Sequence, residues 1–67
     1  SLVAEITERQ VAIEGALIYH DGDRARALAS EYEILLGQLP HGPALRQQQY
    51  ESLLQNLKIL RARIDKR

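Results

Sequence analysis

Apolar residues along this chain recur at alternating spacings of three and four, most clearly in residues 50–64 as Tyr50, Leu53, Leu57, Leu60 and Ile64. That spacing is the a/d seam of an α-helix, a narrow stripe that another helix must cover. Ala25, Leu28, Tyr32, Leu35 and Leu39 repeat it upstream, so two seams of equal period face each other as an antiparallel pair. Leu36 and Leu54 flank these seams and broaden them toward a third helix. Residues 2–20 supply that helix, with Leu2, Ile6, Ile13 and Leu17 on one side. The pattern predicts an all-α fold: an antiparallel helical hairpin with an additional N-terminal helix, a three-helix unit with coiled-coil-like packing. A single domain spans residues 1–67, with helices near 2–20, 23–38 and 44–64.

Start and stop residues support these elements. Ser1 is placed to cap the first helix, and Glu5 and Arg9 have the i, i+4 spacing of a helical ion pair. His20-Asp21-Gly22-Asp23 predicts a turn, with Gly22 in the left-handed conformation and Asp21 or Asp23 capping the next helix. One kinked helix running through this point is the alternative. Gly37 and Pro40 end the second helix, and Leu39-Pro40-His41-Gly42-Pro43 is the clearest loop, because the residue before a proline is pushed out of helical conformation.

The stretch Val11-Ala12-Ile13-Glu14-Gly15-Ala16-Leu17-Ile18-Tyr19 has a single charge. Ile13 and Leu17 form one face, Val11 and Ile18 point well away from it, and Ala12 and Tyr19 lie on another side. A helix that is apolar almost all round needs cover all round. Two further helices in so small a domain fall short of enclosing it. Ile34 and Ile59 also lie off their seams, where a solvated helix is normally polar. Val11, Ile18, Tyr19, Ile34, Leu54 and Ile59 are therefore the candidate partner-binding residues.

Composition agrees with a small helical module. Sixty-seven residues, 45% of them apolar, make one domain that buries only about 60% of the surface its unfolded chain exposes. Three tyrosines are the only aromatics, and cysteine is absent, so there is no disulfide framework, and the expected setting is reducing and cytoplasmic. No apolar run approaches a membrane span, and no signal-peptide pattern is present. The net charge is zero but polarised. Residues 1–40 hold Arg9, Arg24 and Arg26 against Glu5, Glu8, Glu14, Asp21, Asp23, Glu31 and Glu33, whereas residues 41–67 hold Arg46, Lys58, Arg61, Arg63, Lys66 and Arg67 against Glu51 and Asp65. An acidic front and a basic final helix attract each other and help to fix packing or association. Lys and Arg late in a helix also complement its dipole.

Candidate chemistry is sparse. His20 and His41 have no companion ligand at helical spacing, so no metal site is expected. Asp21 and Asp23 lack the rest of a Ca²⁺ loop, and helix capping accounts for them. No serine sits in a nucleophile elbow, and the glycines form no phosphate-cradling loop. Tyr19, Tyr32 and Tyr50 occupy helical core or flank positions. The reading is a non-enzyme with no catalytic residues, no cofactor and no small-molecule substrate.

One resemblance adds to this. The stretch Gly42-Pro43-Ala44-Leu45-Arg46-Gln47-Gln48-Gln49-Tyr50, followed by Leu53, Leu57, Ile59 and Leu60, in a chain of this length with a helix–loop–helix hairpin, resembles the small co-chaperone subunits of bacterial type III secretion needle proteins. It covers roughly residues 25–64 and rests on helical spacing and a Gln-rich helix start. It implies a cytoplasmic protein that pairs with a larger helical-repeat chaperone, the two together keeping the polymerisation-prone needle subunit soluble. The expected function is thus non-catalytic protein binding, as a co-chaperone or adaptor, with a helical chaperone as partner. A homo-oligomerisation domain that pairs with a second copy of itself is the alternative. Nucleic-acid binding through Arg61, Arg63, Lys66 and Arg67 ranks below both, and no membrane partner is expected.

Overall fold

The free N–H groups at the start of the first helix find an acceptor in Ser1, whose Oγ takes a hydrogen bond from the Ala4 N–H at 3.2 Å. The computed structural model describes residues 1–40 and 44–66, with side chains described for all of these except 44–46. The elements are α1 (Leu2–Ile18), α2 (Gly22–Gly37) and α3 (Ala44–Asp65), with no strand among the described residues. The three-helix, all-α fold read from the apolar spacing is the one observed. His41, Gly42 and Pro43, the centre of the expected loop, lie outside the described residues.

α1 and α2 are separate helices, and the turn between them differs from expectation. The Asp21 N–H donates to the Ala16 carbonyl at 2.8 Å and the His20 N–H to the Leu17 carbonyl at 3.1 Å. Those two bonds define a Schellman ending, with His20 as its left-handed residue at φ 58°. No described glycine has positive φ, so Gly22 does not take the role expected of it. It is the buried first residue of α2. The reason is the cap: Asp21 accepts from the Arg24 N–H at 3.1 Å, so one residue closes the first helix and opens the second. The left-handed position then falls on His20, a residue type that visits this region more readily than most.

Among the described residues the buried core is apolar except for one phenol. α1 buries Ile6, Ile13 and Ala16; α2 buries Ala25, Leu28, Ala29, Tyr32 and Leu36; α3 buries Leu53, Leu57, Leu60 and Ile64. The seam of α3 is as read, with Tyr50 half-buried at its start. On α2 the buried stripe is rotated: Ala29 and Leu36 are inside, while Leu35 and Leu39 are half-buried. α2 must cover two helices, and its contact with α1 is the more extensive. The tight hairpin is therefore α1–α2, where the α2–α3 pair was expected to lead. Buried Ala16 and Ala25, each only a methyl, favour close approach of the two backbones beside their short turn.

Tyr32 crosses from α2 to α3. It is fully buried, and its hydroxyl donates to the Leu53 carbonyl at 2.6 Å. No buried side-chain polar atom of the described residues lacks a partner. Ion pairs tie the helices at the surface. Arg9 Nε meets Glu31 Oε1 at 3.0 Å between α1 and α2, so Arg9 does not make the expected pair with Glu5. Arg61 meets Glu33 at 3.0 Å, and Arg63 meets Glu14 at 4.0 Å, so the basic last helix does face the acidic front. Glu33 is held below the usual carboxylate range, first by the hydrogen bond from Arg61 and then by its charge. Such exposed pairs orient more than they stabilise.

Tyr32→Phe should lower stability by about 1 kcal/mol, read as a fall in melting temperature of about 4–8 °C for a domain of this size. Burial pushes the Tyr32 phenol up from its ordinary value. The stability owed to the neutral hydroxyl is therefore complete below about pH 10 and lost as pH rises through the folded-state value. Thermal melts of both proteins across that range should converge at high pH. His20→Val, which puts a β-branched residue in the left-handed position, should cost about 1 kcal/mol, measurable by urea denaturation.

Candidate functional site

Helix geometry decides where the apolar residues outside the core point. Val11 is five residues from Ile6 and Ile18 five from Ile13, which places both about 140° round α1 from its core face. They are 63% and 71% exposed, and Tyr19, just past the helix end, is 84% exposed. Ile34 lies two residues from Tyr32 and from Leu36, and Ile59 two residues from Leu57, about 160° round their helices. They are 64% and 51% exposed. Leu54 is half-buried and packed against the core.

Ile34 and Ile59 sit on the outward sides of α2 and α3, away from the buried residues of their own helices. Single exposed isoleucines are ordinary. Val11, Ile18 and Tyr19 remain together on α1, and the fold adds neighbours to them. Ala4, Glu8, Val11, Gly15 and Ile18 follow one another at spacings of four and three, a second heptad-type seam on the same helix, facing away from the first. Ala4, Glu8, Val11 and Ile18 are exposed and Gly15 is half-exposed. Beside this seam runs a groove of about 420 Å³ lined by Ala12, Gly15, Ala16, Tyr19, Asp21 and Arg24. Ala4, Glu8, Ala12 and Gly15 were absent from the residues singled out by sequence. The spacing that marks them was present, but Glu8 interrupts it, and the core stripe already accounted for an amphipathic α1.

Gly15 is the informative member. A methyl built on it would meet nothing within 4 Å, and its φ is not positive. Neither backbone geometry nor internal packing calls for glycine there, yet glycine within a helix costs about 1 kcal/mol relative to alanine. Its effect is on the outside, where it leaves a flat notch between Val11 and Ile18.

Other features offer less. A cleft of about 270 Å³ at the start of α1 is lined by Ser1, Leu2, Val3, Leu39, Pro40 and Gln49, without a titratable side chain for acid–base work. The described residues hold no group of three His, Cys, Asp or Glu side chains that could bind a metal. Of the basic residues late in the chain, Arg61 and Arg63 are turned onto carboxylates of the same molecule, and Arg67 lies outside the described residues. No helix among the described residues is long and apolar enough to cross a membrane.

Fold and surface together define a small three-helix protein with one helix that is apolar on two faces. Compared with protein-family models, curated proteins and solved structures, the chain matches none of them.

Gly15→Ala should raise the stability of the isolated chain by up to about 1 kcal/mol, measured by chemical denaturation at low protein concentration. A loss of stability would show that the position serves internal packing after all.

Proposed function

We propose that this protein is a non-catalytic helical interaction module that takes a partner helix along the outward seam of α1. The observation behind this reading is the second seam itself: Val11, Gly15 and Ile18, with Tyr19 and Ala12 beside them, at the spacing by which one helix grips another. A fully solvated helix has no use for that pattern. Affinity would come from the apolar strip and orientation from the charges at its ends, Glu5 and Glu8 toward one and the Asp21 and Arg24 pair of opposite signs toward the other. A co-chaperone role in the cytoplasm, as the hairpin's resemblance to type III secretion co-chaperones implies, is one form of this proposal. The partner would then be a helical-repeat chaperone. Ile34, Leu54 and Ile59 belong to the proposal only as subsidiary contacts, since they face other directions.

The test is recovery of the tagged chain from its own cells with the mass of the intact complex measured. The wild-type chain should emerge with a stoichiometric protein partner. The double variant Val11→Glu/Ile18→Glu should lose that partner while its circular dichroism stays helical, and Ser52→Glu, on the exposed side of α3, should keep it. Retention of the partner by the double variant would overturn the assignment to α1.

A further inference from the structure

We infer that the outward seam of α1 pairs with the same seam of a second copy, antiparallel, with the two helices crossing at Gly15. This rests on the interaction reading above and names its occupant. Three observations point to a second copy in this orientation. The seam is self-complementary about Gly15, because Val11 lies four residues before it and Ile18 three after. Reversing one copy sets Val11 against Ile18 on both sides of the notch. Such a two-fold arrangement is isologous, the commonest symmetry of soluble oligomers.

Charge then selects the direction. A parallel pair would set Glu8, which lies on the seam, against Glu8 of the other copy, and like charges face to face are destabilising. The antiparallel pair separates them and brings the Glu5 and Glu8 end of one helix toward the end of the other, where both Asp21 and Arg24 line the groove and Arg24 is the group that can meet a carboxylate. Among the described residues, neither Glu5 nor Arg24 has an ion pair within its own chain, so both charges are available to a second molecule.

Gly15 supplies the third argument. A position with open space around its absent side chain gains nothing inside the monomer, whereas at a helix crossing it lets two backbones come together, as small residues do at close helix contacts.

The 67-residue chain in sedimentation equilibrium should show twice the 7.6 kDa of one chain, and Val11→Glu or Ile18→Glu should lose the dimer while remaining helical. The chain has no cysteine, so single replacements report position. Gly15→Cys should form a disulfide-linked dimer under mild oxidation and Glu8→Cys should not, whereas a parallel pair would link at both and overturn the antiparallel assignment. Arg24→Glu should weaken the dimer, with Glu8→Arg added to it restoring affinity. A chain that is monomeric at every concentration, yet loses a cellular partner on Ile18→Glu, would overturn the self-pairing and leave the interaction reading standing with another protein's helix as occupant. A dimer that survives Ile18→Glu and fails to link at Gly15 would overturn the self-pairing and remove the seam from the interaction reading as well.

Discussion

Among the described residues the hydroxyl of Tyr32 is the polar side-chain group buried in the core, and it ties α3 to α2. Apolar side chains pack in any of several registers at similar energy, since dispersion and burial have little direction. A hydrogen bond from a fixed ring to the Leu53 carbonyl at 2.6 Å has one geometry. Slipping α3 by a turn would leave a buried phenol unpaired, which costs more than the bond itself contributes. The ring also fills the centre of the layer between α2 and α3. Tyr32 therefore combines bulk with a buried directional contact between α2 and α3, and the apolar residues around it are left to supply the burial.

α2 is the element through which the other two are related. Its contacts with both neighbours exceed those between α1 and α3, and its buried stripe is wide enough for two partners because Ala25 and Ala29 take up little space. The turn into it is equally economical, with Asp21 ending one helix and capping the next. Arg9–Glu31 and Arg61–Glu33 then bracket α2 from either side. The resulting body is elongated, 39 × 20 × 14 Å with a radius of gyration of 12.1 Å, somewhat above the roughly 11 Å of a compact chain of this length. Its accessible surface of 4531 Å² is close to the roughly 4300 Å² of an ordinary folded monomer of this mass. The fold thus hides a normal share of its surface, and what it leaves out is concentrated on the far side of α1.

That excess is what the proposed binding role rests on. α1 spends Ile6, Ile13 and Ala16 on its own core and still presents Val11, Gly15 and Ile18 to solvent. Glu8 lies toward the start of this strip, and Asp21 and Arg24 line the groove toward its end. Ile34 and Ile59 are exposed on α2 and α3.

The sequence by itself determined the helical segments, the cap at Ser1, a capping aspartate at 21 or 23, the α3 seam, and the surplus of apolar residues in α1. These follow from local rules: periodicity, propensity and the hydrogen-bonding needs of helix ends. Tertiary structure decided what local rules leave degenerate. It chose α1–α2 as the tighter pair, rotated the buried stripe of α2 toward Ala29 and Leu36, gave Arg9 to Glu31 in place of Glu5, and placed the left-handed residue at His20. Spacing along a helix reports which residues share a face, but which faces meet depends on how three rods share one core, and that is settled by packing and by the single hydrogen bond of Tyr32.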